Sequence, residues 1–188
     1  WLAYFHARFL QQDRTDCSDL WPIGTYWYLA TRQDELKVMQ AGKLKDAAQA
    51  IDTALNHARF QTLVHGDAKL ANFCFPDDGF DRLAAVDFQY VGTGVGVKDL
   101  AYFLGACLDQ DDLFKYEQVL LDEYFAHFKN ALDHYEVEVD FIHLQQEWRS
   151  LYPLVWADFY RFLLGWSPGH YKINPYMQQQ TDIALARL

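Results

Sequence analysis

Between residues 63 and 72 the chain reads LVHGDAKLAN, which places His65, Gly66, Asp67, Lys69 and Asn72 on one tight turn. Farther on, Asp87 closes the apolar run Leu83-Ala84-Ala85-Val86. Each aspartate follows a short strand-like segment, and a buried strand ending in a carboxylate holds that group rigidly at a sheet edge. Asn72 opens the segment that a hairpin would pair with the Asp87 strand, which sets an amide beside a carboxylate. Oxygens of these two kinds are hard ligands, suited to a Mg²⁺ ion that keeps some waters and a phosphate. Asp67, left on the turn opposite the metal, then has the position of a base or orienting group for a hydroxyl nucleophile in phosphoryl transfer.

The elements that must position these groups show as changes of period. Leu2, Phe5, Phe9 and Leu10 make a helical face over 1–12. The aromatic and turn-rich stretch around WPIGTYWYLA makes 15–32 a long loop. Two helices are expected over 33–41 and 45–58, with Gly42 as the stop between them. Strands follow at 61–64, 72–75 and 82–86, and Pro76-Asp77-Asp78-Gly79 supplies hairpin chemistry between the last two. YVGTGVGVKD after Asp87 reads as a glycine-rich loop. Helices are expected at 98–108, 112–134 and 144–165, and a last one opens at Asn174-Pro175, a cap followed by proline at the first helical position. The expected fold class is α+β, mostly helical, with a small central β element.

At 188 residues the chain is long enough for one good core. An apolar fraction of 51% and an aromatic fraction of 17% exclude disorder. The net charge of −10 argues against a nucleic-acid or anionic-membrane binder and permits a cationic substrate. Cys17, Cys74 and Cys107 are odd in number and lack a CxxC spacing, and no secretory leader is evident, so a reducing, cytoplasmic setting is expected. The apolar stretch 151–166 is interrupted by Asp158 and Arg161 and is too short and too charged to span a bilayer.

HGDAKLAN followed by VDFQYVGTGVGVKDLAYFL resembles the aminoglycoside phosphotransferase/choline kinase-like family, and its DFQ triplet resembles the ecdysteroid-kinase-like branch. Matching positions are His65, Gly66, Asp67, Asn72, Asp87, Phe88 and Asp99, and WLAYFHARF resembles the helix that begins the family's C-terminal lobe. The resemblance implies a protein-kinase-like fold, with 1–188 as a single C-terminal lobe: catalytic turn 63–72, metal-binding hairpin 72–88, helical remainder 98–188. It implies an ATP-dependent, Mg²⁺-requiring kinase acting on an alcohol group of a small molecule. By resemblance Asp67 is the catalytic base and Asn72 and Asp87 are the Mg²⁺ ligands. His65 is a packed support behind the turn, Asp99 accepts backbone N–H groups from it, and Lys69 stands near the transferred phosphate.

The departures narrow the reading. Gly66 replaces the arginine of protein kinases, Gln89 stands at the DFG glycine, and the segment from Asp87 to Asp99 leaves no platform for a protein substrate. No strand lysine and phosphate-covering loop precede Trp1, so the N-terminal nucleotide lobe is expected to be missing from this chain, leaving a fragment that is inactive alone and self-associates. The alternative class is an inactive kinase-like binding module, which the intact Asp67 opposes. Trp156, Asp158, Trp166 and His170 are the candidate acceptor contacts, an aromatic wall with a carboxylate suited to a cationic amine. Asp158 and Arg161 are also three apart on one helix and could simply pair on its surface.

Overall fold

A computed structural model describes residues 1–11, 19–77 and 82–188. The helices are α1 (Leu2–Arg8), α2 (Gln33–Val38), α3 (Lys43–Asn56), α4 (Val97–Cys107), α5 (Gln110–His134), α6 (Phe141–Trp166) and α7 (Pro175–Leu185), with short 3-10 turns at Leu29–Thr31 and Leu70–Asn72. Among the described residues four short strands, β1 (Thr62–Val64), β2 (Phe73–Cys74), β3 (Ala84–Ala85) and β4 (Gly92–Gly94), form two antiparallel pairs. The fold is mostly helical α+β, as expected.

Helix α6 is the spine, packed against α2, α3, α4 and α7, while α1 packs on α5. Its inward face carries Trp148, Tyr152, Trp156, Phe159 and Phe162, all buried. Burial of such rings, each about 150–250 Å², dominates core energetics. Asp109 caps α5 by accepting the amides of Asp111 and Asp112, and Asn174 caps α7 by accepting that of Met177 at 2.9 Å, with Pro175 next. These side-chain oxygens satisfy amides that helix starts leave unpaired.

The strands differ from expectation in two ways. Residues 92–94, expected as loop, are β4, paired with β1 in the register Thr62↔Gly94, Leu63↔Thr93 and Val64↔Gly92. Glycine is needed there because the 21–24 segment crosses directly above: a Cβ on Gly92 would lie 2.4 Å from the Trp21 carbonyl oxygen. The Asp87 strand was expected to be buried, yet β3 is partly exposed and Val86, Asp87 and Phe88 are exposed. The β2–β3 register is Phe73↔Ala85 and Cys74↔Ala84. The expected hairpin Pro76-Asp77-Asp78-Gly79 falls partly, and Cys17 wholly, outside the described residues. Helix α1 stops at Arg8 rather than at 12.

Asp158 and Arg161 do pair, but in the interior: Arg161 donates to Asp158 Oδ1 at 2.8 and 3.1 Å with both side chains buried. Trp27 Nε1 donates to Asp158 Oδ2 at 3.0 Å and Arg161 Nη2 to the Trp27 carbonyl at 2.8 Å. The pair therefore ties α6 to the loop before α2. Among the described residues no helix is long and apolar enough to cross a membrane. Cys74 and Cys107 are free thiols.

Candidate active site

Strand β1 is buried throughout and delivers His65, Gly66 and Asp67 at its end. Gly66 has φ +82°, and a Cβ there would stand 2.2 Å from the Tyr90 carbonyl oxygen and 2.8 Å from the Thr25 amide nitrogen. Only glycine fits both that backbone and that space.

Asp99, in the first turn of α4, fixes the turn from behind. Its Oδ2 accepts the His65 amide at 2.5 Å and its Oδ1 the Gly66 amide at 3.0 Å. His6 on α1 donates through Nε2 to Asp99 Oδ2 at 3.1 Å, and the Tyr124 hydroxyl donates to His6 Nδ1 at 2.8 Å. Burial, with Asp99 adding to it, holds the Tyr124 phenol well above its usual range, so it stays a donor. A fully buried carboxylate is tolerable only when its lone pairs are used in this way.

His65 joins the two halves of the site. Its Nδ1 accepts the Asp67 amide at 3.3 Å and its Nε2 donates to the Val86 carbonyl at 2.9 Å. That pattern assigns the neutral tautomer protonated at Nε2. The ring lies against Phe88, centroids 4.7 Å apart. One imidazole thus holds the turn and the residues on either side of Asp87.

Asp67 is buried, and its Oδ2 accepts Lys69 Nζ at 2.7 Å and Asn72 Nδ2 at 3.1 Å. The second Asn72 N–H goes to the Asp67 carbonyl at 2.8 Å. Both amide donors are therefore turned to Asp67, and Oδ1 is the atom left for a cation. The Val86 amide donates to the Asn72 carbonyl at 2.9 Å, which brings the start of β2 alongside Asp87. Asp87 has φ +64°, a left-handed conformation that aspartate tolerates better than most residues. Among the described residues its carboxylate has no hydrogen bond or ion pair. An amide oxygen and a carboxylate are a fitting but incomplete donor set for Mg²⁺, which takes its other ligands from water and phosphate. Among the described residues no group of three or more His, Cys, Asp or Glu is placed to hold a metal.

In front of Asp67 opens a cavity of about 680 Å³, lined in part by Tyr26, Lys69, Tyr102, Trp166 and Lys172. The Tyr102 hydroxyl interacts with Asp67, and the Tyr26 hydroxyl donates to that of Tyr102 at 3.2 Å. Burial pushes both phenols far up, so they remain protonated donors. Trp166, His170 and Tyr171 also line this cavity, with successive ring centroids 5.7 and 4.6 Å apart, and the buried Phe162 stacks behind Trp166 at 5.5 Å.

Of the expected acceptor contacts, Trp166 and His170 line this cavity. Trp156 and Asp158 do not: Trp156 is buried against Tyr176, and Asp158 is the partner of Trp27 and Arg161. Both lie on the inward side of α6, so they are core residues and not acceptor contacts. Reading the sequence missed His6, Tyr26, Tyr102 and Lys172. Tyr102 carried a usable signal, since it stands three residues after Asp99 on the same helix; the other three did not.

Residues 26–137 match the family model described as the ecdysteroid kinase-like family. No curated protein and no solved structure matches the chain.

Proposed function

The chain belongs to the ecdysteroid kinase-like family, and from that premise we propose that it transfers the γ-phosphate of ATP to an alcohol group of a small molecule. The observation that carries this reading is the position of Asp67. It is a buried carboxylate that faces an open cavity on one side and contacts Asn72 on the other.

In this reading Asp67 orients the acceptor hydroxyl and takes its proton as the oxygen attacks phosphorus. Lys69, at the cavity edge, serves the transferred phosphate. Asn72 Oδ1 and the Asp87 carboxylate would hold Mg²⁺, which offsets charge on the phosphate oxygens when bound. Asp99, His65 and His6 are positioning residues that keep the turn in shape. The short span from Asp87 to Asp99 also holds β4 and the start of α4, which favours a small acceptor over a peptide. Free Cys74 and Cys107 suit a cytoplasmic setting.

The test uses the full-length protein, Mg·ATP and a panel of small alcohols, with ADP release as the readout. Asp67→Asn is expected to lower kcat by about 10²–10⁴-fold, the usual loss for a positioned base, with nucleotide affinity unchanged. Turnover at the wild-type rate would remove Asp67 from the mechanism.

A further inference from the structure

Lys172 lies beside Asp67 in the cavity wall and has no part in the scheme above. It is 9% exposed, and its Nζ sits 4.3 Å from the centre of the Tyr102 ring and 5.8 Å from that of Phe159. Among the described residues that ammonium has no hydrogen-bond acceptor and no ion-pair partner. Ring faces stabilise a cation only in part. A buried charge without an oxygen partner is otherwise disfavoured, and proteins rarely leave one so. The rings cover Lys172 on the protein side, and the open side is the acceptor cavity.

The other charges sharpen this. Lys69 and Lys172 line the cavity with one carboxylate, Asp67, and Asp67 is already paired with Lys69 at 2.7 Å. Burial, followed by the nearby Lys172 charge, lowers the His170 imidazole below its usual range, so it adds no charge at neutral pH. Asp158, the carboxylate that would have received a cationic amine, faces Arg161 in the core. Among the described residues, a chain of net charge −10 therefore sets two ammonium groups against one carboxylate at this cavity.

Resting on the phosphotransfer reading for the identity of the cavity, we propose that Lys172 is its specificity-determining residue. Its ammonium donates to an anionic oxygen of the acceptor, a carboxylate, and excludes acceptors that carry an ammonium. The Trp166, His170 and Tyr171 rings, which line the cavity one after another, give the acceptor's apolar body a wall to lie on.

Three probes share a ring and a primary alcohol and differ only in the second substituent: 4-(hydroxymethyl)benzoate, 1,4-benzenedimethanol and 4-(aminomethyl)benzyl alcohol. Their equilibrium binding to the full-length protein is measured by calorimetry without nucleotide. The carboxylate probe is expected to bind roughly tenfold or more tighter than the ammonium probe, with the diol between them, as for a charge-assisted hydrogen bond. Lys172→Met removes the discrimination, and Lys172→Arg keeps it. Three results overturn the proposal: an ammonium probe that binds as tightly as the carboxylate, a carboxylate preference that survives Lys172→Met, or no saturable carboxylate binding. No turnover enters this measurement, so a failure of phosphotransfer appears only in ADP release and is distinguishable from a failure here.

Discussion

Burial, opposed by Asp67 and Cys107 and aided by Lys69, lowers the Lys172 ammonium from its usual range to a pKa of about 8. The folded state thus binds this proton less tightly than the unfolded state, whose lysine titrates near 10.4. Below pH 8 both states are charged and folding carries the whole penalty. Between about 8 and 10.4 the unfolded state holds more protons, so stability gained from this group rises with pH; above that range the penalty is gone. Lys172→Met, which keeps the apolar stem over Tyr102, is therefore expected to be more stable than wild type at pH 7, and the gap should close by about pH 10.4. Urea denaturation of both proteins across that range measures it, and an equal or less stable variant at pH 7 would contradict the burial argument. A binding group that weakens the fold is the usual trade of stability for function. At this scale the sequence disclosed what is local. His65, Gly66, Asp67 and Asn72 stand within a few residues of one another, so spacing alone proposes a turn. His6 reaches Asp99 across 93 positions and Tyr124 across 118, and nothing nearby in sequence marks such partners.

The long helices were legible as elements because apolar periodicity and caps are local properties. Asn174-Pro175 announces α7 at the residue where it begins. Strand β4 was not legible, since Gly-Thr-Gly has little strand propensity and its state is set by Val64 and the crossing 21–24 segment. The α6 face was read in part: its aromatic period was evident, but not which side meets the cavity. Asp158 illustrates the consequence. Its Oδ atoms receive Trp27 and Arg161, and all three side chains are buried. Asp158→Ala would leave the Arg161 charge without its partner, a loss of about 3–5 kcal/mol for a broken buried pair. That is a large share of a typical stability of about 5–15 kcal/mol. Replacing both members, as Asp158→Leu with Arg161→Met, is expected to lose less than Asp158→Ala alone, because the Arg161 charge leaves together with its partner. Chemical denaturation of the three proteins decides it. A double variant less stable than Asp158→Ala would show that the pair contributes net stability beyond mutual neutralisation.

Across the whole molecule, 26 acidic and 16 basic side chains share a small surface. A compact chain of this length has a radius of gyration of roughly 16 Å. The screening length is about 30 Å in 0.01 M salt and about 10 Å in 0.1 M. At the lower concentration nearly every charge therefore acts on every other, and the excess of negative charge opposes compaction. Two effects of added salt compete. It weakens the exposed pairs Lys37–Asp34 and Arg149–Asp122, each worth about 0–1 kcal/mol at most. It also screens the general repulsion, and that term grows with the square of net charge. The interior pair Asp158–Arg161 is shielded from solvent and changes little. Repulsion should win, so raising NaCl from 0.01 to 0.1 M is expected to increase unfolding free energy by an amount on the order of 1 kcal/mol. Urea midpoints at the two concentrations, at constant pH 7, measure it. A fall in midpoint would mean that exposed ion pairs outweigh the net charge, and that the acidic residues are interleaved with the basic ones far better than their numbers suggest.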